Sequence, residues 1–178
     1  MARVSLITEA ERPEMAELIA TLRGGRRGRL LNLYRLLLHS PPLAATWFEH
    51  VGAVRWQTEL DGATREIAIV RVALLNEVDY VVQSHTVYAR EEGLSHAQFQ
   101  ALTAWQGSDL FDERQRAVLA YTDAMTRDVR VEDAVFAALK PHFSERQIVE
   151  LTVLIGTYNM HTRVLRALEV DSEPETGA

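Results

Sequence analysis

The sequence predicts an all-α fold. Apolar residues recur every three or four positions along almost every segment, and almost none alternate as a strand would. Four helix starts carry a cap: Asp61, and the capping-box pairs Ser95–Gln98, Asp112–Gln115 and Ser144–Gln147. The chain has 178 residues, 47% of them hydrophobic, enough for one domain with a sizeable core. That domain is expected over residues 1–170, as a bundle of seven to nine helices.

Taken in order, Pro13 suits the first turn of a helix running to about Leu22. Gly24, Gly25 and Gly28 then break the chain. A second helix is expected over 29–38, ending before Pro41 and Pro42. A third covers about 42–57, with Leu43, Trp47, Val51 and Val54 on one stripe. Asp61 caps a fourth over 62–75. A fifth starts at Asn76 or Asp79 and stops at Gly93, a C′ glycine. Further helices are expected near 96–105, 113–127, 132–140 and 145–168. The tail DSEPETGA, residues 171–178, reads as disordered.

Composition narrows the function classes. The chain contains no cysteine, which excludes disulfides, thiolate metal sites and thiol chemistry by its own residues. Net charge is −6, against the basic face that nucleic-acid binding uses. No run reaches the roughly 18 apolar residues of a membrane span. The N-terminus carries acids where a secretion signal has its apolar core, so a cytoplasmic protein is expected. One local basic run, Arg23, Arg26, Arg27 and Arg29, reads as a solvated turn between helices.

Two helices carry the candidate chemistry. On the fifth, Val78, Val81, Val82, His85 and Ala89 share a face, and His85 is its only ionisable group. His85 is either a general acid–base group or a core histidine bonded to a carbonyl. Glu66 opens the fourth helix, which is apolar on most sides. It either enters a buried site or favours the helix dipole from the surface. Arg71 lies in the same apolar run, as a partner for a carboxylate or a clamp on an anionic substrate. Tyr158, Asn159, His161 and Arg163 form a polar group in an otherwise apolar last helix, suited to a pocket or a subunit contact. The histidines show no metal-ligand spacing, and no glycine-rich loop follows a strand, so no metal is expected.

The segment 61–94 resembles the carboxymuconolactone decarboxylase family, which shares its fold with the alkyl hydroperoxidase D proteins. The family pattern is a Glu near the start of one helix, then C-x-x-C-x-x-x-H about twelve residues on. Glu66 matches the Glu and His85 the His, while Val78 and Val81 fall on the two cysteines. The flanking text LDGATREIAIVRVALLN and HTVYAREEGLS fits, as do HSPPLAATWFEHVGAVRW upstream and YNMHTRVLRALEV downstream.

The resemblance implies a homo-oligomer: a dimer, trimer or hexamer. It implies two chemistries. The peroxidase branch needs both cysteines and is not expected here. The decarboxylase branch needs no thiol, metal or organic cofactor, because a conjugated lactone carbonyl serves as electron sink. By this resemblance His85 is the proton donor and Glu66 its orienting partner. Arg71, Tyr80, Val78 and Val81 complete the expected pocket for a small-molecule substrate. Decarboxylase-like members carry an acidic and an aromatic residue where this chain has Val81 and Val82, which implies a more apolar pocket. The rival from another class is a helical binding or assembly protein that kept the scaffold without catalysis.

Overall fold

A computed structural model of the chain describes residues 2–24 and 28–173. Within them lie nine α-helices and no strand. They are α1 (Ala16–Gly24), α2 (Asn32–Leu37), α3 (Pro41–Trp56), α4 (Gly62–Leu75), α5 (Asp79–Glu91), α6 (His96–Ala101), α7 (Glu113–Asp123), α8 (Asp133–Ala137) and α9 (Glu145–Ala167).

Helix α4 is the axis of the bundle. Ile67, Ala68, Ile69, Val70, Val72 and Ala73 are fully buried, so this helix is apolar on most sides. It packs against α5, α7 and α9, and α9 in turn packs against α3. One cluster of buried side chains runs from Ile7 to Val170. Each large aliphatic side chain in it contributes roughly 1.5–3 kcal/mol by leaving water.

The expected caps form. The Asp61 carboxylate accepts from the Thr64 amide at 2.9 Å and its hydroxyl at 2.8 Å. Ser95, Asp112 and Ser144 each close a capping box with the glutamine three residues on. Gly93 takes φ +93°, the left-handed geometry that ends α5.

Several helix boundaries differ from the periodicity. The second helix starts at Asn32 rather than 29. The sixth ends at Ala101 and tightens to 3₁₀ over Leu102–Gly107, where Ala104 leaves helical geometry at φ −133°. The seventh gives way to a π turn over Ala124–Asp128, which ends at Val129 with φ +63°. Helix α8 spans only five residues.

Arg26 and Arg27 of the basic run lie outside the described residues, as do residues 174–178 of the expected tail. Asp171–Glu173, where that tail begins, have no regular structure but are tied down. The Asp171 carboxylate accepts from the Ala2 amide at 3.1 Å. A carboxylate oxygen of Glu173 accepts from the Asn32 amide at 2.7 Å and the Tyr80 hydroxyl at 2.6 Å. No helix among the described residues is long and apolar enough to cross a membrane.

Candidate active site

Helices α4 and α5 join through only Asn76, Glu77 and Val78. A connection this short folds them back as neighbours. Glu77 completes the turn with φ +54°. Glu66, near the start of α4, thereby meets His85, midway along α5.

The His85 Nδ1 lies 2.6 Å from Glu66 Oε2. Glu66 is fully buried, and His85 is 6% exposed. Burial alone would raise the Glu66 pKa. The hydrogen bond from His85 opposes this, together with the charges of His85, Arg55 and Arg65, and the net pKa lies below the usual carboxylate value. An ionised carboxylate only accepts, so Nδ1–H is the donor. In the neutral ring the lone pair then sits on Nε2, which lies 3.4 Å from the Tyr158 hydroxyl. Tyr158 also crosses the His85 ring edge-on at 5.5 Å.

Two arginines flank the second oxygen of Glu66. Arg65 Nε is 3.4 Å from Oε1, and Arg55 Nη2 is 3.7 Å from it. Arg65 also pairs with Glu92 at 2.8 Å. The Glu92 carboxylate lies against Gly62, where a Cβ would force it to shift. Arg55 lies over the rings of Trp56 and Tyr88, 4.5 and 4.7 Å from their centroids.

His85 opens onto a cavity of about 510 Å³. Leu33, Val51 and Val81 give it apolar walls, and Tyr34, Tyr80, Tyr88 and Tyr158 bring aromatic ones. This is the size and character of a small-molecule site. Ser172 and Glu173 close one side.

The expected site residues separate into two groups. Glu66, His85, Tyr80 and Val81 come together at the cavity. Arg71 does not line it. Its Nε and Nη2 donate to both oxygens of Asp123, at 2.5 and 2.7 Å, and Nη1 donates to the carbonyls of Leu102 and Thr103. Arg71 is therefore a buried structural pair, because a guanidinium inside a core demands a carboxylate and carbonyls. Val78 is the N-cap of α5, buried beneath the turn, and also stays off the lining. Tyr80 donates to Glu173; burial first, and then that carboxylate, push its pKa up, so the hydroxyl stays protonated.

Of the α9 polar group, Tyr158 and His161 face the cavity, whereas Asn159 bonds Asn76 and Thr126. Arg55 is the residue that sequence reasoning missed. Its signal was present: it follows Trp47 and Val51 at four-residue steps on the stripe that faces the core. No group of three or more His, Cys, Asp or Glu among the described residues is placed to hold a metal ion.

Residues 41–124 match the model of the carboxymuconolactone decarboxylase family. Over those residues, just under half of its length, the chain is similar to this family. The matched residues contain Arg55, Glu66, His85 and the valines where the family pattern has cysteines. YdfG of Bacillus subtilis (strain 168), an uncharacterised protein, is 27% identical over 114 residues, 63% of this chain and 78% of that one. The fold matches an uncharacterised peroxidase-related protein of Silicibacter sp. TM1040 with TM-score 0.83 and 20% identity, covering 98% of this chain and 93% of the other. It also matches the debrominase Bmp8, in complex with 2,3,4-tribromopyrrole, with TM-score 0.80 and 16% identity over 97% of this chain and 94% of that one. With no cysteine, the chain has no thiol of its own to oxidise.

Proposed function

We propose that this chain is a cofactor-independent lyase or isomerase acting on a small carboxylated lactone or related aromatic-catabolism metabolite. The observation that carries the reading is the 2.6 Å contact between Glu66 and His85, the latter at the wall of the cavity. Glu66 fixes the ring through Nδ1 and stabilises the imidazolium, leaving Nε2 to exchange a proton with substrate.

In a decarboxylation the C–CO2 bond breaks and its electron pair passes into a conjugated lactone carbonyl. The resulting dienolate takes a proton at carbon from the His85 imidazolium. His85 then regains a proton from water, so one proton is consumed and one CO2 released per turnover. Nothing in this sequence of steps requires sulfur, which fits Val78 and Val81 in the cysteine positions. That Bmp8 was crystallised with a single small ring accords with a ligand of this size.

A second reading rests on a different observation. Between Val149 and Met160, the exposed positions of α9 are Val149, Val153, Gly156 and Met160, with no charge among them. An unbroken apolar stripe suits contact with another copy of the chain. A homo-oligomer is part of the proposal, and on the alternative reading assembly would be the whole function.

The test is a spectrophotometric assay with 4-carboxymuconolactone, run beside His85→Ala. Turnover that collapses in the variant is expected. Turnover that persists in the variant removes His85 from the chemistry, and none in either protein removes this substrate.

A further inference from the structure

Arg55 borders the cavity with a guanidinium that the protein leaves unmatched. It is 4% exposed, yet its Nε and Nη2 N–H groups have no hydrogen-bond partner. The nearest carboxylate oxygen we find for it is Glu66 Oε1, at 3.7 Å from Nη2. That is too long for a hydrogen bond. The same carboxylate already holds His85 at 2.6 Å and lies 3.4 Å from Arg65.

Arg71 shows what this fold does with a buried arginine that has a structural task. There the equivalent Nε/Nη2 edge grips Asp123 through two bonds, and Nη1 is satisfied by carbonyls. Both arginines are almost completely buried, and only Arg71 has a carboxylate within hydrogen-bond distance. A buried donor edge without an acceptor is a standing cost unless a ligand completes it.

We infer that Arg55 anchors the substrate, its guanidinium at the cavity wall taking a carboxylate of the ligand. The inference rests on the reading of this cavity as the active site. The surrounding walls define the rest of the ligand. Leu33, Val51, Val81, Tyr34 and Tyr80 suit an apolar or conjugated body of about one ring. Arg55 and His85 border opposite oxygens of one Glu66 carboxylate, so a group held by Arg55 lies beside the proton donor.

The carboxylate that Arg55 holds is one the reaction keeps. Pairing a leaving carboxylate with a guanidinium would stabilise the ground state and slow loss of CO2. The anchor therefore binds product as well as substrate, and a non-reacting ring carboxylate binds without turnover.

The experiment is isothermal calorimetry with benzoate and with its neutral isostere benzamide. Wild type is expected to bind benzoate at least tenfold more tightly than benzamide. Arg55→Met is expected to erase that preference, and Arg55→Lys, which keeps charge but loses the fork, to recover only part of it. The wild-type ratio needs no variant, so it decides even if Arg55→Met fails to fold. Equal binding of the two compounds, or no benzoate binding, overturns the inference. A preference that survives in a folded Arg55→Met overturns it too. His85→Ala separates the two proposals: it should keep the benzoate preference while losing turnover. Benzoate binding with no lactone turnover in wild type would sink the reaction and keep the anchor.

Discussion

Glu66 and His85 stand nineteen positions apart in sequence and 2.6 Å apart in space, both out of solvent. A buried carboxylate survives only with cations and donors around it, and Glu66 has His85, Arg65 and Arg55. That environment holds its pKa below the ordinary value of 4.5.

A pH dependence of stability follows, with a definite sign. A carboxyl whose pKa is lower in the folded state stabilises fully above its unfolded pKa. The contribution is lost as pH falls through the folded value. For Glu66 the loss begins below about pH 4.5. Glu66→Gln is expected to be less stable than wild type at neutral pH, with the gap closing as the pH drops below that point. Urea melts of both proteins across pH 3–7 check it; a constant gap would mean that Glu66 ionisation does not matter to the fold.

Tyr158 touches Nε2 of His85 at 3.4 Å. Removing its hydroxyl in Tyr158→Phe costs one hydrogen bond of about 0.5–1.5 kcal/mol, a loss of up to about tenfold in kcat. His85→Ala should cost far more, on the order of 10²–10⁴-fold. Equal losses in steady-state assays would put Tyr158 on the same footing as His85.

Arg71→Met should damage the fold and not the site. It takes the two-bond partner from the Asp123 carboxylate, which keeps only Trp105, Gln106 and the more distant Arg127, a penalty of up to about 3–5 kcal/mol. Chemical denaturation at neutral pH reads it directly. A variant of wild-type stability with weakened ligand binding would return Arg71 to the pocket.

Wild-type protein should consume no hydroperoxide above the buffer blank. Both cysteine positions of the family pattern hold buried valines, and the chain has no thiol to turn over peroxide. A peroxide-consumption assay with a thiol reductant checks this, and steady turnover would refute it.

The apolar face of α9 gives a test of assembly. Val153 is 43% exposed at the centre of the uncharged stripe. Wild type is expected to sediment as an oligomer at micromolar concentration, and Val153→Glu to shift toward monomer. A monomeric wild type would leave that face without a role.

The local chemistry of the fold was legible in the sequence, and its long-range pairings were not. Asp61, Ser95, Asp112 and Ser144 cap helices as read, because a cap depends on residues three positions apart. Glu66 and His85 were legible because the helix pair that carries them is contiguous. Arg71 could be read as a partner for a carboxylate or as a substrate clamp, and the sequence could not choose between them because its partner, Asp123, lies 52 residues away across the bundle. Arg55 stood in the last turn of α3, where a cation suits the helix dipole and reads as solvated. Its place on the stripe of Trp47 and Val51 was the signal to the contrary, and its packing against Trp56 and Tyr88 puts it inside. Glu173 belonged to a stretch read as tail, and its bonds to Tyr80 and Asn32 span more than ninety residues each.

The most direct test of the central claim is the protonation of the His85 ring, observed by ¹⁵N NMR in wild type and Glu66→Gln. If Glu66 orients His85, the neutral wild-type ring carries its proton on Nδ1, and Nε2 presents the lone pair to the cavity. Glu66→Gln should release that preference toward the Nε2–H form. A wild-type ring protonated on Nε2, or a tautomer unchanged by Glu66→Gln, would contradict the account, because Glu66 would then not be setting the atom that exchanges the proton.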